Sequence, residues 1–192
     1  MSRLWYGVCE TDLQHREERV EKGYIQVYTG DGKGKTTAAL GLALRAAGSG
    51  LRVYIAQFMK KGDYSEIKAL QSLADFIVVE QFGTGRFIRG APGPEDHEAA
   101  QSGLDAVHAA MASGEYDIVI LEEANVAFGA GVLTETDLLG VIAAKPAGTE
   151  LVFTGRGGAP GVLEKADLIT EMKPIRHYFV EQAVAARKGI ED

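Results

Sequence analysis

The chain has 192 residues, of which 46% are hydrophobic and 24% are charged, and its formal net charge at pH 7 is −7. This length fits one domain with a single hydrophobic core. The acidic balance argues against a nucleic-acid binder or a membrane-surface binder, because such proteins usually carry a basic face. The lone cysteine, Cys9, excludes an internal disulfide and a multi-cysteine metal site. Neither a signal peptide nor a membrane-spanning segment is recognisable, so we expect a cytoplasmic protein without a membrane partner.

The first residues, 1–22, are predicted to form an extension outside the main domain. A small apolar cluster around Trp5 precedes a highly charged run that ends at Lys22. Such a run offers few core positions, and we expect it to act as a mobile flap. Residues 23–192 are predicted to form the main domain.

A glycine-rich loop follows the first predicted strand, and an Ala/Leu-rich helix follows the loop. In this order, backbone N–H groups and the helix N-terminus cradle phosphates, a lysine adds charge, and a hydroxyl serves Mg²⁺. Thr29 stands where the common pattern has its first glycine. We expect the loop to bind a nucleoside triphosphate through Thr29, Gly30, Asp31, Gly32, Lys33, Gly34, Lys35, Thr36 and Thr37.

A second strand is predicted over residues 51–58, and a charged loop that begins at Lys60 follows it on the ligand-binding edge of the sheet. A short helix over 66–72 and a third strand over 76–81 come next. The loop over 82–94 is rich in glycine but also carries phenylalanine, isoleucine and arginine side chains. Because a plain connector has little use for such residues, we interpret this loop as a binding loop.

A helix over 95–113 leads to a buried strand over 117–123, which ends in Glu122 and Glu123. A carboxylate at the tip of such a strand holds Mg²⁺ directly or through water in phosphate-loop sites, and either residue could do so. Further elements are predicted over 134–143 (helix), 150–154 (strand), 160–166 (helix) and 168–170 (strand), followed by a polar C-terminal helix. Arg156 follows the fifth strand and is therefore expected at the same edge of the sheet.

The alternation of strands and helices predicts an α/β protein: a three-layer P-loop NTPase-like fold with a mainly parallel central sheet. An ordinary GTPase is disfavoured, because Asn125 is the only asparagine and no lysine follows it in the guanine-recognition pattern.

Four stretches together resemble the P-loop type of ATP:corrinoid adenosyltransferases, also called cob(I)alamin or cob(I)yrinic acid a,c-diamide adenosyltransferases. The similarity runs from about residue 23 to the C-terminus. The stretches are Thr29 to Thr37, the pair Glu122-Glu123, Phe153-Thr-Gly-Arg-Gly157, and Glu171 to His177 with the ending Ala186-Arg-Lys-Gly-Ile-Glu191.

The resemblance implies that Co(I) of a reduced corrinoid attacks the 5′ carbon of ATP and that tripolyphosphate leaves, in adenosylcobalamin biosynthesis or salvage. Because Co(I) is the nucleophile, no protein base is required. The resemblance assigns catalytic roles to Lys35, Thr36, Glu123 and Arg156. It assigns Mg²⁺ to Thr36, Glu123 and Glu122, with preference for Glu123 because family members usually carry an Asp-Glu pair.

The same resemblance assigns corrinoid contacts to the loop after the third strand, at Phe82, Arg86, Phe87 and Ile88. In better-known members, this loop carries a Phe-x-Trp pair, and here Arg86-Phe87-Ile88 stands in its place. A homodimer and an electron donor that reduces cobalt to Co(I) are implied as well.

Two other functional classes remain open from the residues alone. A small-molecule kinase or ATPase would share the phosphate loop, and the arginines at positions 86 and 89 could serve as its lid. A non-catalytic, ATP-gated regulatory protein would bind ATP without turnover.

Overall fold

The computed structural model describes residues 20–88 and 90–191. Within these residues, the strands are β1 (Ile25–Thr29), β2 (Val53–Phe58), β3 (Ile77–Phe82), β4 (Ile118–Glu122), β5 (Glu150–Thr154) and β6 (Leu168–Glu171). The helices are α1 (Lys35–Gly48), α2 (Ser65–Leu70), α3 (Pro94–Ser113), α4 (Ala124–Gly129), α5 (Glu135–Ala144), α6 (Pro160–Lys165) and α7 (Tyr178–Gln182). No helix in these ranges is both long and apolar enough to cross a membrane.

The strands of the described chain form one sheet in the order β3-β2-β4-β5-β1-β6. Every pairing is parallel, and in the register of β1 Val27 lies opposite Phe153 of β5 and Ile169 of β6. Parallel neighbours require a crossover between them, and the helices provide it. The predicted mainly parallel sheet is therefore confirmed.

Helices cover both faces of this sheet. On one face, α1 packs its small buried side chains, such as Ala43, near Ile55 of β2. On the other face, Leu104 of α3 and Leu138 of α5 belong to the same buried cluster as Phe153 of β5. The strands are buried on both sides, which explains their nearly continuous apolar sequences. This arrangement confirms the three-layer α/β fold.

All carboxyl ends of the strands lie at one edge of the sheet because the strands are parallel. The glycine-rich loop follows β1, the segment with Lys60 follows β2, Glu123 follows β4, and Arg156 follows β5. Ligands of open α/β sheets bind in the crevice at this edge. The fold thus brings together groups that are far apart in the sequence.

Two elements differ from the sequence prediction. Helix α4 was not predicted, since six residues are too few to show a helical period. The predicted C-terminal helix is limited to the five residues of α7, and the chain then continues to a turn in which the Ile190 amide donates to the Arg187 carbonyl. Of the predicted extension, residues 1–19 lie outside the described residues, so the flap and the division at residue 22 remain predictions.

Candidate functional site

The glycine-rich loop takes its shape from positive backbone angles that begin at Gly30. Gly30 has φ +96° and Gly34 has φ +122°, a region that side-chain-bearing residues rarely adopt. A β-carbon on Gly30 would lie only 2.5 Å from the carbonyl oxygen of Met172. Thr29 is still the last residue of β1, and its hydroxyl donates to the Gly157 carbonyl. A glycine is therefore required at position 30, whereas Thr29 has ordinary strand geometry.

Lys35 is the first residue of α1, and its side chain folds back over the loop. Its Nζ donates to the carbonyls of Gly30 at 2.6 Å and Gly32 at 2.8 Å. Burial lowers the pKa of Lys35, and the nearby charge of Arg156 lowers it further. The helix N-terminus and this ammonium both favour an anion in the loop. The arrangement can therefore hold the phosphates of a nucleotide.

Thr36 links the loop to the acidic tip of β4. Its hydroxyl donates to Oε1 of Glu122 at 2.6 Å. Glu122 is fully buried, and its Oε2 lies 3.1 Å from Nζ of Lys60 but forms no hydrogen bond. Burial raises the pKa of Glu122, while the Lys60 ammonium opposes the rise. Burial alone would lower the pKa of Lys60. The negative charges of Glu122 and Glu123 have the larger combined effect, so the pKa of Lys60 is raised.

Glu123 is turned differently from Glu122, because its backbone is left-handed with φ +61°. Its amide donates to the Thr154 hydroxyl at 3.0 Å, and its side chain is 23% exposed, 4.0 Å from Lys60. For a residue with a side chain, this conformation costs about 1–3 kcal/mol and is typical of functional sites. The left-handed conformation turns the Glu123 carboxylate toward the cleft, whereas the Glu122 carboxylate stays buried.

The donors at this position fit a magnesium ion. The described residues contain no cluster of three or more histidine, cysteine or carboxylate side chains arranged for a metal. Magnesium, however, usually binds through one or two carboxylates, waters and substrate phosphates. Thr36, Glu122 and Glu123 supply hard oxygen ligands, and Glu122 Oε2 lacks a hydrogen-bond donor. In the structure, Glu122 rather than Glu123 contacts Thr36. The assignment of Mg²⁺ preferentially to Glu123 remains a prediction.

A cleft of about 1100 Å³ opens in front of these groups. It brings together most of the site residues predicted from the sequence: the loop from Asp31 to Thr37, Glu123, Arg156 and Phe87. Arg156 is 69% exposed and lies 3.8 Å from Asp31. The other predicted residues, Thr29, Gly30 and Glu122, do not line the cleft. Gly30 and Glu122 accept hydrogen bonds from Lys35 and Thr36, which do line it.

The loop over residues 82–94 contributes less to the cleft than predicted. Phe87 is 89% exposed and lines the cleft. Phe82 packs on Phe58 with ring centres 6.2 Å apart, and Ile88 packs against the same core. Arg86 pairs with Glu95 of α3, and the arginine at position 89 lies outside the described residues. Of the predicted corrinoid contacts, the structure therefore places only Phe87 on the cleft.

The C-terminal residues were not predicted to take part in the site. Lys33 Nζ donates to the Ile190 carbonyl at 2.6 Å and to Glu191 at 2.9 Å. Hydrogen bonds from Arg187, Tyr178 and Lys33 lower the pKa of Glu191 well below its usual range. Ile190 and Glu191 are more than 150 positions from Lys33, so no local pattern could reveal the contact. In the sequence, these residues were indicated only by the C-terminal stretch from Ala186 to Glu191, which contributes to the family resemblance.

Comparisons with known proteins agree with this geometry. The family model of ATP:corrinoid adenosyltransferase BtuR/CobO/CobP matches residues 21–191. A corrinoid adenosyltransferase of Pseudomonas aeruginosa is 32% identical over 100% of this chain and 93% of its own length. The corrinoid adenosyltransferase CobA of Salmonella typhimurium is 29% identical over 94% and 91%. An uncharacterized protein, all2391 of Nostoc sp., is 38% identical over 89% of this chain, and the match spans 49% of that longer protein.

Proposed function

Since the chain belongs to the ATP:corrinoid adenosyltransferase family, we propose that it transfers the 5′-deoxyadenosyl group of ATP to Co(I) of a corrinoid and releases tripolyphosphate. The family assignment agrees with the resemblance predicted from the sequence and with an enzyme of the transferase class. The observation that carries the proposal is the composition of the cleft. A phosphate-binding loop, an exposed arginine and an exposed aromatic side chain share one space.

Both proposed substrates would share this cleft. Pockets for a single small ligand typically measure about 300–1,000 Å³, and this cleft measures about 1100 Å³. The triphosphate would lie against Lys35 and the loop amides, with the ribose 5′ carbon directed into the open part. Phe87, which lines the same cleft, would offer an apolar surface to the corrinoid.

The proposed reaction is a displacement at carbon. The cobalt electron pair forms the cobalt–carbon bond, the C5′–O bond breaks, and its electrons leave on the triphosphate; cobalt passes formally from +1 to +3. The protein holds the 5′ carbon in line with cobalt and stabilises the charge that develops on the leaving oxygen. Lys33, Lys35 and Arg156 line the cleft and would take part in this task.

Magnesium belongs to the proposal as the cofactor. Thr36, Glu122 and Glu123 would hold it, and it would supply positive charge next to the triphosphate. The homodimer, the electron donor for Co(I) and the cytoplasmic location are likewise proposals that rest on the family.

Of the two arginines that could form the lid of a kinase, the structure describes only Arg86, and its contacts do not favour that role. Arg86 is engaged with Glu95 and lies 4.0 Å from Asp96, and it is not part of the cleft lining. A mobile arginine lid would need this side chain free. Adenosyl transfer is therefore the function that the geometry supports best.

One experiment separates the functions. The protein is incubated anaerobically with ATP, Mg²⁺ and chemically reduced corrinoid, and the products are separated. We expect adenosylated corrinoid and tripolyphosphate in equal amounts; ADP would indicate a kinase or ATPase, and no turnover would indicate a regulatory protein. Lys35→Ala should abolish transfer, whereas the control Lys165→Ala, an exposed lysine of α6 outside the cleft, should not.

A further inference from the structure

Lys60 lies between the two carboxylates that are proposed to hold magnesium. Its Nζ is 3.1 Å and 3.2 Å from the two oxygens of Glu122 and 4.0 Å from Glu123 Oε1. The lysine side chain is only 21% exposed, and its Nζ lies 5.7 Å from the ring centre of Tyr64. The Lys60 ammonium therefore lies next to both carboxylates at the C-terminal end of β4.

The buried carboxylate needs a cation at this place. Glu122 has no exposure to solvent, and its other partner is the neutral hydroxyl of Thr36. An ionised carboxylate that is removed from water is strongly destabilised unless an opposite charge compensates it. Lys60 supplies that charge.

A divalent ion on the same carboxylates would lie close to this ammonium, and the two positive charges would repel each other strongly. The ammonium has another place to go. Lys60 lines the cleft together with Lys35 and Arg156, which face the proposed triphosphate. A lysine has a flexible four-carbon stem, so its charge can turn without movement of the backbone.

We propose that Lys60 neutralises Glu122 and Glu123 in the metal-free protein and exchanges with Mg²⁺ when the ion binds there, whether the ion arrives alone or with ATP. The displaced ammonium then pairs with the triphosphate. The exchange brings a further positive charge to the leaving group and keeps Glu122 neutralised in both states. The inference rests on the magnesium site of the proposed function.

The test is a Mn²⁺ titration of the nucleotide-free protein, followed by electron paramagnetic resonance of the free ion. Lys60→Gln keeps a hydrogen-bond donor for Glu122 but removes the competing charge. We expect it to bind Mn²⁺ at least about tenfold more tightly than the wild type. Lys60→Arg retains the charge and should stay close to the wild type. No gain in Lys60→Gln, including no detectable binding by either protein, would overturn the inference.

A second measurement uses the wild type and does not depend on the folding of a variant. Acetic anhydride acylates accessible lysines, and mass spectrometry can follow Lys60 relative to exposed Lys165. We expect saturating Mg²⁺ alone to increase acylation of Lys60, because the metal displaces it from Glu122. An unchanged rate would contradict the exchange.

These measurements contain neither ATP nor corrinoid, so they are independent of the proposed reaction. A wild type that transfers no adenosyl group would refute the proposed function alone. A wild type that transfers normally but shows no exchange at Lys60 would refute this inference alone.

Discussion

Replacing Thr36 with valine removes the hydroxyl that donates to Glu122 and keeps a side chain of almost the same shape. The acceptor is fully buried, so water cannot replace the lost donor. A hydrogen bond to a charged group contributes about 1.5–3 kcal/mol to the free energy of unfolding. Because Lys60 still compensates Glu122, we expect the lower half of this range. In a domain of this size, the melting temperature should fall by about 3–8 °C.

The assay for this prediction compares Thr36→Val with Thr36→Ser, which keeps the hydroxyl. Thermal denaturation without ligands gives the stability, and anaerobic transfer with reduced corrinoid gives the activity. We expect the valine variant to lose about two to three orders of magnitude in rate, as is usual when one preorganised group is removed. A valine variant that melts at the wild-type temperature would show that the contact with Glu122 contributes no stability. A serine variant as inactive as the valine variant would show that the hydroxyl is not the functional group.

Three other outcomes are expected. Burial and the nearby charge of Arg156 lower the pKa of Lys35, so Lys35 loses its positive charge as the pH rises through that lowered pKa. ATP affinity, measured by calorimetry, should weaken over the same pH range. The Lys35→Arg variant, which keeps its charge, should show no such loss. Glu191→Gln should remove the charge that pairs with Lys33 and leave only neutral partners for it, which should lower the dissociation constant of ATP. The control Glu164→Gln, at an exposed position of α6, should not change the dissociation constant; equal affinities of the two variants would contradict the role of the C-terminal contact. Phe87→Ala should raise the KM for corrinoid and leave ATP affinity unchanged, and a parallel loss of both would argue against a corrinoid contact.

The sequence was sufficient for the parts of the fold that depend on local patterns. The loop after β1 and the acidic end of β4 carry side chains whose type and position indicate their chemistry directly. The order of strands in the sheet was not predictable, because it depends on which apolar surfaces pack together over long distances. Nor could the sequence tell that Glu122 turns to Thr36 and Glu123 to the cleft. That difference comes from a single left-handed residue at the end of the strand.

The loop over residues 82–94 shows the limit of composition as a guide to function. Its aromatic and aliphatic side chains predicted a binding loop, yet Phe82 and Ile88 complete the hydrophobic core. A ligand-binding loop and a core-packing segment both need apolar side chains, so composition alone could not distinguish the two roles. Exposure does separate them, because Phe87 remains in solvent.

The positive charges of the cleft explain how an acidic protein can bind a polyphosphate. Each of the cleft lysines and arginines in the described residues already has a protein partner: Lys33 has Glu191, Lys35 has loop carbonyls, Lys60 has Glu122, and Arg156 has Asp31. ATP must replace several of these contacts at once, and only a long phosphate chain reaches enough cations to offset their loss. A triphosphate that keeps those contacts after the C5′–O bond breaks is also a stabilised leaving group. The same set of exchangeable pairs would account for both the selective binding of ATP and the proposed cleavage at its 5′ carbon.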